Sequence, residues 1–466
     1  MFKKTKKVIS LVLAVISLGS ALVLSGCGGS GSGGENGKVK ISIGDWPADT
    51  DSNAAVYKQY KETMEELYPN IEIVPDTSTG NTTGYITRAI SGQLPNLYVI
   101  SYTEANNIIE NGFCADITKA SKEYNFTKSL NPIVLNKVSK KGKVYGIPQT
   151  AYALGLACNK EMFTKAGLVN DDGTLRYPQT YEELAQFAAQ IKEKTGKAGI
   201  MFPTMNNQGG WIFSNVAWSF GVDFMEQKKN GKWKATFNTK ECVDALQYIK
   251  DLKWEYDVLP SNAFIGIEEE RKLFASNQAA MYIIHPTERM LVKNYNMNKD
   301  NICFARVPAG PAGRYTLMGG NFYAISPEST PKQIDAIFKF LEVKGHSPKV
   351  TDEIREASAL ALEHDKNENV PVMKEPALSL WINDERVAMN SEVRALYANV
   401  PEENFADYSS FTDVSLREEE PVCAQELYSI LDAGIQKVLT DKNADCAAIV
   451  KQMASDFQKN HLDKID

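Results

Sequence analysis

Histidine is scarce in this chain of 466 residues. There are four, His285, His346, His364 and His461, and no two stand four apart as a helical metal pair would, so the simplest zinc site is missing. A G-x-S-x-G nucleophile elbow, a G-x-x-x-x-G-K-[ST] phosphate loop and an EF-hand loop are also absent. "NDDGT" at 170–174 has the composition of a plain turn. Basic residues are not in excess: 51 Lys and Arg against 58 Asp and Glu leave a formal charge of -7. A surface for nucleic acid normally needs the opposite balance, so no nucleic-acid partner is expected. Neither internal repeats nor any motif for a cofactor or metal is present, and 43% hydrophobic with 23% charged residues is the composition of a globular protein.

What is present begins with a leader. Lys3, Lys4, Lys6 and Lys7 precede the apolar "VISLVLAVISLGSALVL", the pattern of a secretory signal peptide over residues 1–26. Its four lysines are the only charges before Cys27, so removing it takes the net charge from -7 to -11. A retained spanning helix is the alternative, because the run approaches the roughly 20 residues a bilayer requires. "LSGC", Leu24 to Cys27, resembles the lipobox of bacterial lipoproteins. That resemblance implies cleavage before Cys27 and a diacylglyceryl group on its sulfur, hence an anchor on the outer face of the cell membrane. The Gly- and Ser-rich residues 27–37 form a flexible leash.

Strand and helix patterns then alternate. "VKISIG" at 39–44 alternates apolar and polar residues, a helix is expected from about Asn53, and "IEIV", "TTGYITRAISG" and "LYVIS" continue as strand, helix and strand. Such alternation predicts an α/β fold with parallel strands. Further on, Thr180 with Glu183, Asn238 with Glu241 and Thr330 with Gln333 are spaced as capping boxes, and "AGIMF" follows the first of these helices as a strand. From about Ser347 the pattern is helical, without a convincing strand. The six remaining cysteines, Cys114, Cys158, Cys242, Cys303, Cys423 and Cys446, are widely spaced among apolar residues. They suit small buried hydrophobes better than a disulfide framework.

Four blocks carry a family resemblance: "SGQLPNLYVISYTEANNIIENGFCADIT" (91–118), "GKVYGIPQTAYALGLACNKEMFTKAGL" (142–168) with "PQTYEEL" (178–184), "RKLFASNQAAMYI" (271–283) and "VPAGPAGRYTLMGGNFYAISPESTPKQIDAIFKFLEV" (307–343). In this order they resemble the extracellular solute-binding proteins of carbohydrate ABC importers, the maltodextrin-binding type. The resemblance implies two α/β lobes joined by crossing strands, with a largely helical tail. Residues 38–146 and 308–345 would form one lobe and 147–307 with 346–466 the other, with a last crossing near Gly345. It also implies a carbohydrate ligand between closing lobes, ABC permease subunits as partners, and a monomer that is not an enzyme. A surface carbohydrate-active enzyme using Asp or Glu remains the alternative, although the runs Glu268–Glu270 and Glu418–Glu420 have the look of solvated faces.

A sugar offers hydroxyls at its edge and C–H patches on its faces, so aromatic rings flanked by amides and carboxylates are the groups to seek. Trp46 follows the first strand, with Asp51 as a polar neighbour, and serves equally well as a plug on the lobe. By the resemblance, Tyr102 and Thr103 fill a contact slot, Gln149 and Tyr152 follow the first crossing, and Asn207 and Trp211 take the place of aromatic contacts. Gly320 and Asn321 lie at the second crossing, where glycine permits close backbone approach or merely a turn. After "AAMYI" the family usually has glycine and tryptophan. Here "HPTER" stands instead, with His285, Glu288 or Arg289 as candidates to replace the ring by hydrogen bonds or charge, and Arg289 and Arg314 are compatible with the carboxylate of a uronate.

Overall fold

The computed structural model describes residues 37–77, 82–286, 289–375, 378–411 and 413–465. The leader, Cys27, most of the leash and Glu288 lie outside the described residues. Leaving short helices and turns aside, the chain runs β1 (Val39–Ile43), α1 (Ala54–Leu67), β2 (Ile71–Pro75), α2 (Thr82–Ile90), β3 (Leu97–Ser101), α3 (Pro132–Lys137) and β4 (Gly146–Ala153). It continues through β5 (Gly155–Asn159), α4 (Tyr181–Thr195), α5 (Gln208–Phe220), α6 (Lys240–Trp254), β6 (Met281–Ile284), β7 (Ile302–Arg306) and β8 (Arg314–Ile325). Last come α7 (Pro331–Val343), α8 (Asp352–Asn367), α9 (Asp384–Tyr397), β9 (Val414–Arg417), α10 (Ala424–Thr440) and α11 (Cys446–Asn460).

Two lobes result. In the first, β2, β1 and β3 are parallel, as the βα alternation predicts, and β8 joins β3 antiparallel. α1 and α7 cover this sheet, and Ile41, Ile43, Met64, Ile73, Ile337 and Phe340 fill the space between. The second lobe departs from the parallel expectation. Its small sheet, in the order β6-β5-β7, is antiparallel throughout, and its core is largely helical, built on α4, α5, α6, α10 and α11. "AGIMF" forms no strand there: only Ala198 bridges to Ala279. Its residues are buried, and the Met201 N–H donates to the Met281 carbonyl at 2.9 Å, so the segment runs beside β6 without a regular ladder.

Capping is largely as the spacing predicts. Thr180 accepts the Glu183 N–H at 3.1 Å, and α4 stops at Gly196 with φ 67°. Thr330 and Gln333 close a reciprocal box on α7. On α6 the cap is Thr239, which accepts from Cys242, rather than Asn238. The six described cysteines are free thiols, five of them buried.

The tail differs most. Trp381 packs with Phe126 and Leu130 in the first core, α8 touches α1 and α7, and the His346 ring N–H donates to the Pro148 carbonyl at 2.8 Å. Residues 346–397 therefore pack largely on the first lobe, and Gly345 is no crossing point. Tyr408 and the helices α10 and α11 do belong with the second lobe. Between them β9, a strand that sequence did not announce, runs parallel to the first third of β8.

α5 and α10 approach closely because Gly210 has no side chain. A Cβ there would stand 2.3 Å from the Tyr428 carbonyl oxygen and 2.5 Å from its Cα, both backbone atoms that cannot swing aside. Gly210→Ala should therefore lower stability by about 1–3 kcal/mol or more. Denaturant unfolding of the purified mature chain measures this.

Candidate functional site

The antiparallel pair β4 and β8 passes between the lobes. Met318 stands opposite Ala153, Gly319 opposite Tyr152 and Asn321 opposite Thr150, with a bulge between Asn321 and Phe322. The two glycines sit within the strand, so the close-approach reading holds and the turn reading does not. A Cβ on Gly319 would meet the Tyr152 ring at 2.5 Å, and one on Gly320, where φ is +142°, would meet the Thr150 carbonyl at 2.2 Å.

Beside this pair a cavity of about 370 Å³ opens, bounded by Ser101–Thr103, Tyr152, Met318–Asn321 and Arg417–Pro421, with Asn106 and Lys137 at its edge. Its size falls in the range of small-molecule sites. Tyr102 stacks on Phe322, with ring centroids 5.8 Å apart and planes within 8°. It is only 6% exposed, and its hydroxyl has no hydrogen-bond partner among the described residues. Tyr152 lies with its ring centroid 5.1 Å from that of His285, and burial pushes its hydroxyl up to about 12. A second recess of about 180 Å³, lined by Asn207, Gln208, Trp211, Gln425 and Tyr428, meets the first at Glu419.

The N-terminus of α5 positions Trp211. Asn207, with φ 66°, and Gly210 donate their N–H groups to the two carboxylate oxygens of Asp432, at 2.8 and 2.6 Å. An anion there compensates the free amides of the first turn. Trp211 Nε1 then donates to Glu419 Oε1 at 3.0 Å.

The outer wall is the segment after β9. Lys137 on α3 pairs with Glu418 at 2.5 Å, and Arg417 pairs with Asp223 at 2.8 Å while lying over the Trp218 ring. Glu418–Glu420 is thus no simple solvated face: only Glu418 is exposed, and the other two carboxyls turn inward. Glu270 in the other acidic run is fully buried as well. Burial raises Glu419 above the usual carboxylate range and pushes Glu420 up to about 7.

Of the residues singled out in sequence, the structure gathers Tyr102, Thr103, Tyr152, Gly320 and Asn321 at the larger cavity and Asn207 and Trp211 at the smaller, with His285 against Tyr152. Trp46 is not among them. It packs edge-on against Tyr57 at 5.1 Å in the first core, the plug reading. Asp51 is exposed and accepts from Asn53 in the turn before α1, and Gln149 lines neither cavity. Arg289 is paired with Asp365, and Arg314 is buried against Asp413 and the Val307 carbonyl. Both arginines are thus engaged by carboxylates of the chain itself. Sequence reasoning missed Lys137, Arg417, Glu419 and Glu420. The one available signal was the proximity of "REEEP" to the short apolar "VSL".

A cavity of polar and aromatic side chains beside strands that cross between two lobes is the architecture of a two-lobed solute-binding protein. The chain belongs to the family described as bacterial extracellular solute-binding protein, whose profile matches residues 47–343. It is 22% identical over 479 residues to the lipoprotein LipO of Bacillus subtilis, covering 96% of this chain and 91% of that one. With the polygalacturonan/rhamnogalacturonan-binding protein YtcQ of the same organism it shares 24% over 310 residues, 62% of this chain and 59% of the relative. Its fold is similar to that of the maltose-bound MalE3 of T. maritima, with a TM-score of 0.63 and 22% identity over 90% of this chain and 99% of the other. No described helix is long and apolar enough to cross a membrane, and no group of three or more described His, Cys, Asp or Glu residues is arranged to hold a metal.

The Glu420 value fixes a pH dependence. A carboxyl raised on folding takes up a proton, so stability falls as pH rises from the ordinary glutamate range, about 4.3, to about 7, and the full penalty stands above that. Glu420→Gln removes the ionisable group. Its melting temperature should exceed that of the unmodified chain at pH 8 and differ little at pH 4.5; equal shifts at both pH values would contradict the assignment.

Proposed function

We propose that this protein is an extracellular receptor that captures a mono- or oligosaccharide between its lobes and hands it, unaltered, to an ABC permease. The observation that carries this reading is the convergence of orphaned polar atoms. Among the described residues Tyr102 Oη, Tyr428 Oη, Glu419 Oε2 and Glu420 Oε1 are buried without hydrogen-bond partners, and Tyr102, Tyr152 and Trp211 are among the residues that line the two recesses. Leaving such atoms bare is unfavourable, and a polyol supplies both the partners and the C–H faces. Because the cavity wall comes from both lobes and the strands between them, a ligand touching all of it favours the closed arrangement by its differential affinity.

Calorimetry or thermal shift with a sugar panel tests this. Ligand at ~100 times its Kd should add ~2.7 kcal/mol of stability, and a peptide or an inorganic ion stabilising the chain where no carbohydrate does would end the sugar reading. Glu419 and Glu420, adjacent and buried, keep an enzymatic alternative in view. Recovering the bound sugar chemically intact after prolonged incubation supports the receptor, whereas products that disappear in Glu419→Gln support the enzyme.

The anchor belongs to the same proposal. Cys27 carries the lipid, and the leash leaves the lobes free to open near the permease. Cys27→Ala should release the protein into the medium with unchanged sugar affinity. Firm retention on membranes would instead favour a spanning helix.

A further inference from the structure

The charge balance of the cavity narrows the class of sugar, an inference that rests on the receptor reading above. Two cations and three carboxylates line the larger cavity: Lys137 and Arg417 against Glu418, Glu419 and Glu420. Both cations are engaged, Lys137 by Glu418 and Arg417 by Asp223. Neither Glu419 nor Glu420 lies within salt-bridge distance of a cation among the described residues, although the Lys137 charge acts on Glu419 and the Arg417 charge on Glu420. Glu419 Oε1 is occupied by the Trp211 indole N–H, whereas its Oε2 and the Oε1 of Glu420 are bare. A separate observation on the opposite wall also points to a ligand: the hydroxyl of Tyr102, a residue 6% exposed, is likewise unpartnered.

Bare carboxylate oxygens accept hydrogen bonds and cannot donate them when ionised. Sugar hydroxyls each bring a donor, and a sugar ammonium brings three with a complementary charge. A uronate carboxylate brings acceptors and a further negative charge into a recess lined by three carboxyls against two cations, each cation already paired with a carboxylate. Repulsion of this kind discriminates between ligands of equal size.

We propose that Glu419 and Glu420 make the cleft select donor-rich sugars without negative charge, neutral or amino-substituted, and reject uronates. The selectivity lies in the acid segment after β9.

The test uses matched triplets: D-glucose, D-glucosamine and D-glucuronate, and D-galactose, D-galactosamine and D-galacturonate, as monomers and as linked dimers and trimers. Each is titrated calorimetrically into the mature chain at pH 7.5. The tightest ligand should be neutral or amino-substituted, with its uronate counterpart at least tenfold weaker. Glu419→Gln and Glu420→Gln should each narrow that gap several-fold, and their melting curves verify the fold. Should either variant fail to fold, the ratio within the unmodified chain still decides. A uronate that binds as tightly as its neutral counterpart, or more tightly, overturns the inference and leaves the receptor reading standing. No response to any sugar in the panel overturns the receptor reading and the inference with it.

Discussion

The pairing of β4 with β8 is the contact on which the rest depends. These two strands supply the first and second passages between lobes, and they lie close because Gly319 and Gly320 present no side chains to Tyr152 and Thr150. Through β8 the pair is joined to β3 on one side and to β9 at its other end. Tyr102, at the end of β3, and the acid segment, at the end of β9, therefore face the same space. A two-stranded hinge of this type bends at few dihedrals while both attached cores stay packed, which lets closure be a movement of bodies rather than a repacking.

The cavity combines rigid and costly elements. Tyr102 is fixed by its stack on Phe322, and Trp211 by a helix whose first amides are held by Asp432. Against these stand buried carboxyls with unused lone pairs, which are costly to leave unsatisfied. Fixed rings and unsatisfied acceptors are thus set side by side at one cavity.

The legible part of the fold was local. Alternation of period 2 and helical spacing marked β1 to β3 and α1, and side-chain caps marked α4 and α7, because those signals arise within a few residues. Tyr102, Thr103, Tyr152, Gly320 and Asn321 were found through their place beside strands. Trp46 was misleading, since a ring just past a strand can turn to the cleft or to the core, and only Tyr57 on the next helix decides. The tail resisted for a different reason. β9 has four residues, too few for a periodic signal, and its partner in β8 is about 100 residues earlier in the chain. Glu419 and Glu420 look solvated in sequence because what buries them is the far end of that long-range pairing.

The placement of β9 also has a consequence for timing. Ribosomal synthesis and export deliver the chain amino end first, so every strand of both main sheets except β9 is present before residues 414–421 appear. Until β9 has docked along β8, the cleft lacks the wall that carries Glu419 and Glu420. The two buried carboxyls thus take their places beside the crossing strands only when nearly the whole polypeptide has emerged.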